Sequence, residues 1–104
     1  MSEEQHRAIL KYNGADATFL KMAEECSELS AAINKMFVAE RNDDPTAHGK
    51  AYNRAIVEFA DVLEAAARLK LIVDMDRVNR ARTAKRNRTL GKIYESRQSQ
   101  DKHE

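Results

Sequence analysis

Phe19-Leu20-Lys21-Met22-Ala23-Glu24-Glu25-Cys26-Ser27-Glu28-Leu29-Ser30-Ala31-Ala32-Ile33-Asn34-Lys35-Met36 decides the fold. Its apolar positions Phe19, Met22, Cys26, Leu29, Ile33 and Met36 follow a three-four spacing without a miss, the seam of a helix packed in a bundle. No segment of the chain alternates with period two over strand length. Only one Pro and three Gly interrupt the 104 residues, so long helices are free to form. The sequence therefore predicts an all-α, four-helix bundle-like fold. A chain of this length is one domain with a small core, and help from a second subunit is expected.

Outward from that helix, Ser2 with Gln5 reads as a capping box that opens a first helix, and Asn13-Gly14 supplies its left-handed stop. The second helix is expected to start at about Asp16. The polar stretch 41–46 breaks it, with Asp44 as an N-cap and Pro45 in the first-turn position where its missing N–H is harmless. The third helix runs from about Pro45 or Gly49 to Val73. It carries two apolar stripes, Ile56, Phe59, Leu63 and Ala66 on one side and Val62, Ala65, Leu69 and Val73 on another, which predicts a central helix with partners on both. Asp74 or Asp76 caps a fourth helix that ends near Leu90, with Gly91 as the stop. Residues 1–94 form the domain, and the wholly polar 95–104 reads as a frayed or disordered tail.

The single Cys26 has no internal disulfide partner and is expected to be a small core residue. His6, His48 and His103 lack metal-ligand spacing, which argues against zinc. The absence of a secretory signal and of an apolar run of transmembrane length predicts a cytoplasmic protein, or host-cytoplasmic if phage-encoded, without a membrane partner. Charge is uneven: residues 1–76 hold fourteen acids and nine Lys or Arg, whereas 77–92 hold seven Lys or Arg and no acid.

Two acidic clusters stand inside the apolar patterns, Glu24-Glu25-Cys26-Ser27-Glu28 and Glu58-Phe59-Ala60-Asp61. Residues three apart share a helix face, so Glu25 pairs with Glu28 and Glu58 with Asp61. Lys21 can serve Glu24 or Glu25, and Arg54 can serve Glu58. Glu28 has Glu24 four residues before it, a repulsion of a few tenths of a kcal/mol, and Asp61 finds no cation on its own helix. Four carboxylates brought together by neighbouring helices call for a cation. Carboxylate-bridged diiron bundles add His at Glu-x-x-His spacing, which neither cluster has. All-oxygen ligation favours Mg²⁺ or Mn²⁺, metals that most often serve phosphate chemistry. Lys85 and Arg88, on one face of the basic helix with Asn87 adjacent, then offer counter-charge to phosphates.

Leu20 to Leu29, with Glu24-Glu25 and Glu28, followed by Glu58-Phe59-Ala60-Asp61-Val62-Leu63, resembles the E-E-x-x-E and E-x-x-D signature of the MazG-like, all-α nucleoside triphosphate pyrophosphohydrolases. Leu69 to Val73 before a basic helix resembles the small phage and bacterial members. The resemblance covers about residues 6–92. It implies Mg²⁺-dependent hydrolysis of a (deoxy)nucleoside triphosphate at the α–β anhydride, giving the monophosphate and pyrophosphate, by a homodimer or homotetramer. It also implies Glu25, Glu28, Glu58 and Asp61 as metal ligands, Glu24 as the residue that orients or deprotonates water, and Lys21, Lys85, Asn87 and Arg88 as phosphate contacts. Val57 departs from the further acid that many relatives carry there, and the connection between Glu28 and Glu58 is long. Two other readings stand beside this one: a helical nucleic-acid-binding protein using 77–92, which leaves the carboxylates unexplained, and a non-catalytic metal- or nucleotide-binding relative.

Overall fold

In the computed structural model, which describes residues 1–103 and their side chains through Gln100, the chain is all-α. Four helices follow one another: α1 (Glu3–Asn13), α2 (Ala15–Arg41), α3 (Pro45–Leu69) and α4 (Met75–His103). The chain divides into two compact units. The first, Met1–Ile72, holds α1, α2 and α3; the second begins at Val73 and holds α4.

The helix ends follow from local chemistry. Ser2 Oγ accepts from the Gln5 N–H and Gln5 Oε1 accepts from the Ser2 N–H, closing a reciprocal capping box at the start of α1. Gly14, at φ 88°, donates its N–H to the Leu10 carbonyl at 2.7 Å and ends α1. A β-carbon would resist that backbone conformation. The same residue opens α2: its carbonyl accepts from both the backbone N–H and the hydroxyl of Thr18. At the next turn Asp43 takes φ 50°, tolerable for a short polar side chain. Asp44 Oδ1 then caps α3 by accepting from the Ala47 N–H, with Pro45 in the first turn.

Such a short connection turns α2 and α3 into an antiparallel hairpin, and their contact is the main one of the first unit, with α1 touching both. On α2 the inward positions are Thr18, Met22, Glu25, Leu29, Ala32, Met36 and Ala39; on α3 they are His48, Ala51, Ala55, Glu58, Val62, Ala65 and Leu69. Both sets step by alternating three and four, a heptad seam. Among the described residues the buried apolar ones are four alanines, Ala32, Ala39, Ala51 and Ala65, and the largest side chain with essentially no exposure is Glu58.

The seam differs from expectation in one respect. Met22, Leu29 and Met36 lie in it, but Phe19, Cys26 and Ile33 are exposed, and so are Ile56, Phe59 and Leu63 of the first stripe expected on α3. Cys26 is accordingly not a core residue. Periodicity reports that a helix has an apolar side without reporting which side meets its own chain. Here the small residues face inward, where they let the helices approach closely, and the large ones face out. α1 is fastened by His6, which is buried; Arg68, which can only donate, faces its Nδ1 at 3.5 Å, and Glu64 lies 3.7 Å from its Nε2.

In the second unit Asp74 Oδ1 caps α4 by accepting from the Arg77 N–H. The helix runs through Gly91, where the sequence suggested a stop. A glycine costs a helix interior about 1 kcal/mol, too little to end one that continues into good helix formers. Residues 95–103 continue α4 as well, in place of an irregular tail, while Glu104 lies outside the described residues.

Candidate metal centre

Glu25 and Glu58 occupy core positions of the hairpin seam, 5% and 1% exposed. Each is held by a cation one turn earlier on its own helix. Lys21 Nζ lies 2.9 Å from Glu25 Oε1, and Arg54 Nη2 lies 2.5 Å from Glu58 Oε1. Both cations reach inward from solvent, with side chains 50% and 65% exposed. The two helices thus repeat one order, cation, Glu four residues on, acid three residues after that. Lys21, Glu25 and Glu28 supply it on α2, and Arg54, Glu58 and Asp61 on α3. That recurrence is a sequence signal the cluster spacing alone did not bring out.

One carboxylate oxygen each from Glu25, Glu58 and Asp61 come within 4.8 Å of one another, with Asp61 at the exposed rim. The second oxygen of each buried acid, Oε2 of Glu25 and of Glu58, is buried without a hydrogen-bond partner. Leaving a buried acceptor unsatisfied costs about 1–3 kcal/mol, and more for a charged group. A cation held between the two acids would satisfy these oxygens, and hard oxygen donors suit Mg²⁺, Mn²⁺ or Ca²⁺. The donor set and its orphaned atoms therefore fit a divalent ion held by Glu25, Glu58 and Asp61.

Glu28 lies at the solvent edge facing Glu58. Its carboxyl is raised above the ordinary carboxylate range, first by a hydrogen bond with Glu58, then by loss of hydration and by the charges of Glu25, Glu58 and Glu24. That bond exists only while the Glu28 carboxyl carries its proton. Lys21 is raised as well, chiefly by its hydrogen bond to Glu25 and by the charge of Glu24. Four carboxylates against two cations leave a negative excess.

The chain matches no family model, no curated protein and no solved structure.

Of the residues singled out in sequence, Glu25, Glu58 and Asp61 are brought together, and Glu28 adjoins them through Glu58. Glu24 stands apart in solvent, with Oε2 3.8 Å from Lys21 Nζ. Lys21 is committed to Glu25. Lys85, Asn87 and Arg88 are exposed residues of α4, in the second unit. The sequence offers Arg54 only as a local partner for Glu58; among the described residues its guanidinium is the one cation in ion-pair contact with the most buried carboxylate.

Proposed function

We propose that this protein is a MazG-like nucleoside triphosphate pyrophosphohydrolase that uses Mg²⁺, or Mn²⁺ in its place, to release pyrophosphate from a (deoxy)nucleoside triphosphate. The observation that carries the reading is that Glu25, Glu58 and Asp61 each bring a carboxylate oxygen within 4.8 Å of the others, while both buried acids keep one oxygen without a hydrogen-bond partner. Glu25, Glu58 and Asp61 would hold the ion, with Glu28 beside them. Bound there, the ion would neutralise phosphate charge and acidify a water. In the reaction a water oxygen bonds to the α-phosphorus, the bond from that phosphorus to the α–β bridging oxygen breaks, and pyrophosphate leaves. The family resemblance gives Glu24 the part of orienting or deprotonating the attacking water, although its side chain stands in solvent beside Lys21 and apart from the other carboxylates. Phosphate contacts by Lys21, Lys85, Asn87 and Arg88 follow from the family resemblance.

A second copy of the chain completes the reading. Four buried alanines are a thin core, while Phe19, Phe37, Tyr52, Ile56, Phe59 and Leu63 stand about half exposed on α2 and α3. Apolar surface of that extent on one hairpin is characteristic of an interface, and a homodimer or homotetramer covers it. A cytoplasmic site of action accords with a nucleotide substrate, and no described helix is long and apolar enough to cross a membrane.

The test is product analysis with each common dNTP and NTP, with and without Mg²⁺. Metal-dependent monophosphate plus pyrophosphate is expected. Diphosphate plus phosphate would refute α–β cleavage, and no turnover by folded protein would refute the enzyme. One observation favours a second reading: all seven cations between Arg77 and Lys92 are exposed on α4. A nucleic-acid-binding helix would show steeply salt-dependent binding that needs no divalent metal.

A further inference from the structure

Beside the acidic cluster, towards the turn that joins α2 to α3, the hairpin carries a groove of about 430 Å³. Its volume lies within the range of small-ligand sites, about 300–1,000 Å³. Alanines of both helices form part of its floor, and its polar wall is basic: Lys35 from α2, Lys50 and Arg54 from α3, with Asn42 at the turn. The one acid in the wall, Asp44, is occupied in capping α3. Among the described residues neither Lys35 nor Lys50 has a carboxylate within ion-pair distance. Two lysines without an ion-pair partner and one arginine thus line a single open groove, although the first unit as a whole is acidic.

Arg54 joins the two sites. It lines the groove and at the same time binds Glu58. A guanidinium presents five donors in a planar fork, so one edge can hold the carboxylate while another faces an anion in the groove. Lys35 lies seven residues beyond Glu28 and Lys50 eight before Glu58, so both stand about 10–12 Å along the helix axes from the carboxylates. We infer that the groove lined by Lys35, Lys50 and Arg54 binds a diphosphate group: the pyrophosphate end of the triphosphate whose α–β bond lies at the acidic cluster. This rests on the proposed hydrolase reading for the identity of the ligand, and on the basic groove alone for its chemistry. Negative charge at the cluster and positive charge one to two turns away would then orient the substrate and retain pyrophosphate after cleavage.

Inorganic pyrophosphate is the probe, titrated calorimetrically into the full-length protein in the presence of a chelator and again with Mg²⁺. The wild type is expected to bind it in both conditions. Lys35→Gln with Lys50→Gln removes two charge-assisted contacts and is expected to weaken binding by more than about tenfold, with helicity and the thermal response to Mg²⁺ unchanged. Both lysines are exposed and Gln is a comparable helix former, so the fold is not at stake. No pyrophosphate binding by the wild type, or equal binding by the double variant, overturns the groove. If the lysines govern pyrophosphate binding and no nucleotide is hydrolysed, the groove stands and the hydrolase reading falls. If nucleotides are hydrolysed and the lysines are without effect, only the groove falls.

Discussion

Mg²⁺ should raise the melting temperature of the protein, and Glu58→Gln should abolish the rise. Two buried carboxylate oxygens have no partner, and at about 1–3 kcal/mol for each unsatisfied acceptor, an ion that meets both returns about 2–6 kcal/mol. Mass action is consistent with this, since free ion at about a hundred times its dissociation constant stabilises by about 2.7 kcal/mol. For a unit the size of the α1–α3 hairpin body, each kcal/mol moves the midpoint by about 4–8 °C, so a shift of at least about 8 °C is expected. The assay is thermal unfolding followed by far-UV circular dichroism, in chelator and then in Mg²⁺ at matched ionic strength and fixed protein concentration. In chelator, Glu58→Gln sets relief of the repulsion from Glu25, Glu28 and Asp61 against loss of the Arg54 ion pair, so the quantity compared is each protein's own shift between chelator and Mg²⁺. A wild-type midpoint that does not move between chelator and saturating Mg²⁺ or Mn²⁺, or one that moves equally in Glu58→Gln, would refute the reasoning.

Glu25→Gln and Asp61→Asn are each expected to abolish Mg²⁺-dependent nucleotide turnover while leaving helicity intact; full activity in either at saturating metal removes the site assignment. The raised Glu28 carboxyl gives the stability of the metal-free protein a pH dependence of definite sign. The folded state holds that proton more tightly than the unfolded state, so its contribution is complete below the ordinary Glu pKa and disappears as pH rises through the raised folded value. Glu28→Gln should flatten that part of a stability profile measured in chelator, and an unchanged slope would count against the Glu28–Glu58 contact. Phe59→Lys or Leu63→Lys, placed on the exposed apolar face, should lower the mass measured by light scattering; an unchanged mass would exclude that face from the interface. Asp44→Ala deletes the cap of α3 and should cost about 1 kcal/mol in denaturant unfolding, with no loss expected if the Ala47 N–H finds water instead.

The helix starts and the end of α1 were legible because they rest on chemistry within three or four residues, whereas α3 was expected to reach Val73 and ends at Leu69. Ser2 with Gln5, Gly14, Asp44 and Asp74 each do what their side chains or backbone permit locally. Gly91 looks like a stop in isolation, but its penalty is local and the helix on both sides outweighs it. The seam was half legible. Met22, Leu29 and Met36 belong to it, but Thr18, Glu25 and Ala32 took the places that hydrophobicity assigned to Phe19, Cys26 and Ile33, since what faces inward depends on the neighbouring helix. The acidic cluster was visible through helical spacing and through the lack of cations for Glu28 and Asp61. Glu24 was not separable from Glu25 by sequence, because adjacent positions differ by about 100° around a helix and only the packing shows which one is buried. The cations at Lys35 and Lys50 carried no signal at all, since an exposed lysine on a helix looks the same with or without a groove beside it.

The two buried acids also bear on how α2 finds its place against α3. The inward residues seven positions from Glu25 and Glu58, Ala32 on α2 and Ala51 on α3, are level with each other in an antiparallel pair. A seam lined so largely by alanines is nearly indifferent to a slide of one heptad. Such a slide would set Glu25 against an alanine, burying a lone carboxylate with no acid opposite to share an ion. Glu25 and Glu58 therefore act as the registration marks of the hairpin, much as a single polar residue fixes the register of a coiled coil. Replacing both by leucine should yield helices that pair more tightly and align less uniquely.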